Sequence, residues 1–233
     1  MNVERTNTLT LLLLEKATAY NRWVFEEIQP FLKGNLLEVG CGTGNLTGWL
    51  LQQGRVVATD LNQDYLRVVQ GRYWKHSNLV TTLAWDVRSD PPDTIQKTTD
   101  TIICSNVLEH VEEDDRILSH FYQLLPEGGR LILLVPALKF LYNHLDRELG
   151  HFRRYGREEL IQKLKRNRFK VIRLDYFNFF GILGWFLNGT LLRRRLVPEG
   201  QMGIFNKMVP FFKKAEKMIP GRVGQSLIAI GEK

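Results

Sequence analysis

Apolar residues in this chain fall into short, nearly unbroken runs, separated by stretches in which they recur every three or four positions. The runs are Asn35–Val39, Arg55–Asp60, Leu79–Trp85, Thr99–Ser105, Arg130–Val135, Lys170–Phe177 and Gln225–Gly231. Their length and continuity predict strands buried on both faces. The intervening stretches predict helices. Leu13, Ala17, Tyr20 and Val24 set a helical stripe over 6–33, with Pro30 marking its end. A second helix is expected over 45–53, with Leu46, Trp49 and Leu50 inward and Gly54 as its cap. Asn62 can cap a third that runs to about Gln70, with Gly71 beyond it. Over 112–125, Ile117, Leu118, Phe121, Leu124 and Leu125 share one side, and four acids, Glu112 to Asp115, occupy the first turn, where the helix dipole favours them. Residues 157–166 predict one more.

Strand–helix alternation of this kind predicts an α/β fold, a doubly wound, seven-stranded, mostly parallel sheet. Its 233 residues suit a single domain. Within it, residues 1–34 read as a helical lid, 35–178 as the core sheet, 179–223 as a helical insertion and 224–233 as the last strand. Ligands in such sheets bind at the carboxyl ends of the strands, near the point where the strand order reverses. Gly40–Gly44, Asp60, Asp86 and Ser105–His110 each follow or end a predicted strand, so four strands bring polar residues to one edge.

The first of these edges reads Leu-Leu-Glu-Val-Gly-Cys-Gly-Thr-Gly from Leu36 to Gly44. Glycines there let the backbone approach a ligand closely. The dinucleotide fingerprint needs a third glycine three places after the second, and that place holds Asn45 in one register and Thr47 in the other. No Tyr-x-x-x-Lys pair is present, and no Gly-Lys-Ser/Thr follows the glycines, which argues against a dehydrogenase and a P-loop enzyme. With Asp60, Asp86 and Ser105–Val111 (SNVLEHV), the Glu-x-Gly-x-Gly-x-Gly run from Glu38 resembles the class I S-adenosylmethionine-dependent methyltransferases, of the bacterial small-molecule kind. The resemblance covers Leu36 to about Val135 and the final strand.

The resemblance implies a Rossmann-like methyltransferase fold and S-adenosylmethionine as cofactor, leaving as S-adenosylhomocysteine. It implies that Gly40, Cys41, Gly42 and Gly44 line the methionine and ribose, with Glu38 bracing that loop. Asp60 would accept from both ribose hydroxyls, and Leu61 would pack on the adenine. Asp86 would accept from the adenine amino group, beside the Val87 backbone. Asn106 would sit near the sulfonium, and Tyr20 is a contact from the N-terminal helix. No metal is expected. A rival reading keeps the fold but not the chemistry, as a non-catalytic nucleotide-binding or scaffold protein.

Candidate acid–base groups are His110, His144 and His151. The stretch Leu141–Leu160 adds Asp146, Arg153, Arg154 and Tyr155, a density that suits a polar or anionic substrate such as a small molecule, glycan or lipid precursor. Net charge sharpens this. The chain totals +7, but residues 1–150 carry 14 Lys/Arg against 19 Asp/Glu, a balance of −5, and residues 151–233 carry 18 against 6, a balance of +12. Phe177–Leu192, followed by Arg193–Arg195, reads as an interfacial helix for an anionic membrane surface over 177–195, and Phe205, Phe211 and Phe212 beside Lys213 and Lys214 repeat the theme. Nucleic acid is disfavoured because no Asn/Asp-Pro-Pro-aromatic motif ends strand four and no proline precedes Cys41 or Cys104. Two unpaired cysteines and the lack of a signal peptide lead to an expected cytoplasmic protein, peripheral to the inner membrane face.

Overall fold

A computed structural model describes residues 3–95, 99–218 and 223–233. Seven strands form one sheet: β1 (Leu36–Val39), β2 (Val56–Asp60), β3 (Leu79–Ala84), β4 (Thr101–Ser105), β5 (Arg130–Pro136), β6 (Lys170–Phe177) and β7 (Ser226–Glu232). Their order is β3-β2-β1-β4-β5-β7-β6. All neighbouring pairs are parallel except those of β7, which runs antiparallel between β5 and β6. The order reverses between β1 and β4, where Val39 pairs with Cys104, so Gly40 and Ser105 emerge side by side.

Alternate residues of the central strands feed two cores. Leu37, Ile102, Cys104, Leu131 and Leu133 point to one face, where they meet α5 (Asp114–Leu124) and α7 (Arg157–Arg166). Leu36, Ile103, Ile132 and Leu134 point to the other. That second core is closed by Trp23, Val24, Phe25 and Ile28 of α2 (Thr18–Ile28), by Leu66 and Val69 of α4 (Gln63–Tyr73), and by Val209 of α9 (Glu199–Glu216). Burial on both faces is why these strands read as apolar runs rather than alternating ones.

The structure corrects several sequence expectations. The helix expected over 6–33 is two, α1 (Val3–Lys16) and α2, broken at Ala17. The Asn21 side chain donates to the Leu14 carbonyl at 2.7 Å, and Asn206 of α9 accepts from the Ala19 and Tyr20 amides at 2.9 and 3.1 Å. A cap supplied from 187 residues away leaves no local signal. The helix over 45–53 shrinks to α3 (Thr47–Leu50) between turns, with three-residue hydrogen bonds from Trp49 to Leu46 and from Gln52 to Trp49. Gly71 does not end α4 but lies inside it, at a position where a side chain would meet nothing. β5 runs one residue past the expected Val135, to Pro136, which pairs with Ser226.

Between β6 and β7 come α8 (Gly181–Trp185), a π-helical turn over Phe186–Leu191, and α9. Phe177, expected to open an interfacial helix, is instead buried at the end of β6. Residues 219–222, at the end of the expected insertion, lie outside the described residues.

Candidate functional site at the carboxyl edge of the sheet

The glycine loop leaves β1 with Gly40, Gly42 and Gly44 at φ values of +72°, +52° and +88°. A side chain at Gly40 would lie 2.2 Å from Val107 Cγ2, so both the backbone angle and the space demand glycine there. Asp60, at the end of β2, ties the loop down: its Oδ2 accepts from the Gly42 amide at 2.8 Å and its Oδ1 from the Asn62 amide at 2.9 Å. An ionised carboxylate has about four lone-pair positions, so some acceptor capacity remains for a ligand. Burial pushes the Asp60 carboxyl above its ordinary pKa, while the amides of Asn62, Gly42 and Leu61 oppose that push. Beside it, Leu61 is 64% exposed and available to cover a ring.

Glu38 is buried under the loop and accepts from Thr47 Oγ1 at 2.7 Å. It braces α3 against β1. Burial, opposed by the Thr47 bond and assisted by the Asp60 charge, raises its pKa to about 8. The unfolded carboxyl titrates at about 4.3, so the folded state holds this proton more tightly. Stability from this group is full below the unfolded value and falls as pH rises through the folded value. Glu38→Gln keeps an acceptor for Thr47 and has no proton to lose. Its thermal melting point is expected to match wild type at pH 4.5 and to exceed it by several degrees at pH 8; parallel melting curves across that range would refute this account.

Cys41 is a buried free thiol whose pKa burial raises. Asp86 follows β3 and holds Arg88 through a pair at 2.6 Å, and the hydrogen bond from Arg88 leads in keeping its carboxyl below the usual range. Val87, next to it, is buried in the core. Asn106 follows β4 with φ +53°, a left-handed angle that asparagine tolerates, and is exposed at the edge.

The N-terminal residue that reaches the glycine loop is Leu11, not Tyr20. A side chain at Gly42 would lie 2.9 Å from Leu11 Cδ2, and Asn45 Nδ2 donates to the Leu11 carbonyl at 3.4 Å. α1 is fastened along its length by Thr8 to Tyr65 at 2.7 Å and by Glu15 to Arg72 at 2.6 Å. Tyr20 packs against Phe177 and Phe205, with ring centroids 5.9 and 6.0 Å away.

The stretch after β5 turns most of its polar residues inward. Asp146, on α6 (His144–Leu149), is wholly buried and accepts from Arg154 Nε at 2.9 and 3.0 Å and from Trp185 Nε1 at 3.1 Å. It also caps α6 through the Asn143 amide and holds His151 Nδ1 at 2.9 Å. Arg154 donates onward to the Ala137 carbonyl at 2.9 Å and lies 4.7 Å from the Trp185 ring centre. Tyr155 is buried and donates to Asp114 Oδ2 at 2.9 Å. These three residues, read in sequence as substrate contacts, spend their hydrogen bonds inside the protein. Arg153 is partly exposed but donates to the Glu112 carbonyl at 2.7 Å and pairs with Asp114 at 3.3 Å.

Of the three histidines, two meet. The rings of His110 and His151 lie 4.7 Å apart, edge to face. His144 instead faces Glu148, one turn along α6, at 3.5 Å. Burial, followed by the charge of His151, pushes His110 down to about 3. Glu109, beside them, is a residue that sequence reasoning passed over. It is fully buried, burial raises its carboxyl to about 7, and neither oxygen has a hydrogen-bond partner. The signal available in sequence was an acid and a histidine together, four places after a strand.

Comparison with known proteins agrees with this layout. A family model described as a methyltransferase domain matches residues 37–131, from β1 to the start of β5. An uncharacterized methyltransferase of Bacillus cytotoxicus is 32% identical over 116 residues, which span 49% of this chain and 52% of the relative. A malonyl-[acyl-carrier protein] O-methyltransferase of Ilyobacter polytropus is 22% identical over 64% of this chain and 60% of its own. The match thus spans little more than half the length of these relatives. Among solved structures, an S-adenosylmethionine-dependent methyltransferase of Mesorhizobium loti superposes with TM-score 0.61 at 16% identity, covering 90% of this chain and 97% of that one. Residues 37–131 thus match a methyltransferase domain, and the sheet has the fold of solved S-adenosylmethionine-dependent methyltransferases. The residues present suit that cofactor: the three glycines form a cradle that side chains would fill, and Asp60 keeps lone pairs free beside it.

Proposed function

We propose that the protein transfers a methyl group from S-adenosylmethionine to a small-molecule, glycan or lipid-precursor acceptor, with Gly40–Gly44, Asp60, Leu61, Asp86, Val87 and Asn106 forming the cofactor site. The observation that carries the reading is Asp60, a carboxylate with acceptor capacity to spare, pinned to the glycine loop that leaves β1 beside the switch point of the sheet. The cofactor supplies a sulfonium methyl that is already electrophilic. The protein then has to align the acceptor and exclude water. Leu11 lies over the glycine loop and serves the second task. The Ilyobacter relative is named for a malonyl group held on a carrier protein, which supports a small acceptor group that is free or borne on a carrier. Calorimetry with S-adenosylmethionine and with S-adenosylhomocysteine tests the reading: one site for each is expected. Heat from neither leaves the non-catalytic alternative, and binding of nicotinamide cofactors instead leaves an oxidoreductase.

A second proposal concerns where the acceptor is met. Among the described residues no helix is long and apolar enough to cross a membrane. The helices between β6 and β7 nevertheless expose Leu183 (73%), Leu191, Ile204 (67%) and Phe211, with Arg193 and Arg195 exposed beside them. Apolar side chains next to exposed cations suit the interface of an anionic bilayer. Phe205 and Phe212 pack inward and take no part. In flotation with phosphatidylglycerol-containing vesicles at low salt, wild type is expected to float, and Ile204→Glu with Phe211→Glu to reduce the bound fraction about tenfold. Absence of wild-type flotation would end the idea.

A further inference from the structure

Three metal-competent side chains meet at the turn that follows β4, and neither the fold nor the proposed methyl transfer accounts for them. Glu109, His110 and His151 each place one ligand atom within 4.8 Å of the others. Glu109 has no accessible surface and both its carboxylate oxygens lack a hydrogen-bond partner. A buried carboxylate without partners is costly, and native proteins supply such groups with a donor or a cation.

The His151 imidazole is already oriented from behind. His151 Nδ1 lies 2.9 Å from Asp146 Oδ1, and Asp146 is itself held by Arg154, Trp185 and the Asn143 amide. The His110 ring stands edge to face with the His151 ring, their centres 4.7 Å apart. A carboxylate or carbonyl on one ring nitrogen fixes the tautomer and leaves the other nitrogen as a ligand, an arrangement that accompanies metal-bound histidines. One buried carboxylate, one pre-set imidazole and a second imidazole packed edge to face on it therefore meet.

We propose that Glu109, His110 and His151 bind one divalent cation of the zinc kind, with Asp146 as the positioning residue for His151. Two nitrogen donors favour a borderline transition metal over magnesium or calcium, which take oxygen ligands. Three protein ligands leave a fourth position open. Ligand atoms about 2.0–2.2 Å from a tetrahedral zinc lie roughly 3.3 Å from one another, so side-chain rotation closes the cluster. The turn begins two residues beyond Asn106, on the carboxyl edge. On the reading above, the open position is available to a water or to an oxygen of the acceptor.

The test uses the full chain, stripped with a chelator and titrated with Co²⁺. One equivalent is expected, with visible absorption bands that Zn²⁺ abolishes. Glu109→Ala and His151→Ala are expected to weaken binding at least 100-fold, and His76→Ala to leave it unchanged. His151→Cys, which keeps a ligand, should retain one equivalent and add a thiolate band, so a folding defect in the alanine variants cannot be mistaken for loss of the site. No stoichiometric Co²⁺ in wild type, or equal binding in both alanine variants, would overturn the proposal. The measurement needs no S-adenosylmethionine, so it stands or falls apart from the methyl-transfer reading.

Discussion

Asp60→Ala is expected to raise the dissociation constant for S-adenosylmethionine by about 100-fold or more, measured by calorimetry against a variant whose circular dichroism matches wild type. Two losses combine. The carboxylate no longer offers lone pairs to the ligand, and hydrogen bonds to an ionised group contribute roughly 1.5–3 kcal/mol each. The Gly42 and Asn62 amides also lose their acceptor, so the loop is no longer held in its left-handed path. Asp60→Asn separates the two: it keeps acceptor geometry for one amide but not the charge, and is expected to fall between. Asp86→Ala should cost less, since Arg88 already engages that carboxylate in the free protein. A dissociation constant for Asp60→Ala within threefold of wild type would remove Asp60 from the cofactor site and with it the main support for methyl transfer.

Asp146→Ala is expected to cost about 3–5 kcal/mol of unfolding free energy, the range for removing one partner of a buried ion pair. The substitution strands Arg154, which is buried against Trp185 and keeps only carbonyl partners. It also removes the Asn143 amide's acceptor at the start of α6. Urea denaturation monitored by tryptophan fluorescence measures it; a loss under 1 kcal/mol would mean that water reaches the cluster. The same residue gives an acid limb. Burial alone would raise its pKa, but the bonds from His151 and Arg154 outweigh it and the carboxyl lies below its usual value. Its contribution is present above the unfolded value, about 3.9, and fades as pH falls through the folded one.

Which parts of this molecule could be read from the chain follows from where the information resides. β6 and α7 were legible to the residue, because the spacing of apolar residues along each is a property of neighbouring residues. Gly40–Gly44 and Asp60 were legible as a pair because each ends a strand and parallel register brings strand ends together. The break at Ala17 was not, since its cap comes from Asn206. Nor was the fate of Leu141–Leu160. A cluster of Arg, His, Asp and Tyr looks the same in sequence whether it faces a ligand or satisfies itself, and here Asp146, Arg154 and Tyr155 do the latter. Glu109 was overlooked for the opposite reason: its isolation is visible only once every possible partner has a position.

Asn206 makes the N-terminal cover a dependent structure. α1 reaches the glycine loop through Leu11, α1 is joined to α2 at Ala17, and the first amides of α2 are closed by a side chain on α9. Lys16 and Glu199 tie the same two regions at 2.6 Å. α9 also carries Ile204 and Phe211, the apolar residues offered to a surface. α9 thus caps α2 and pairs with the end of α1, so the helix that exposes Ile204 and Phe211 is joined to the segment that brings Leu11 to the glycine loop.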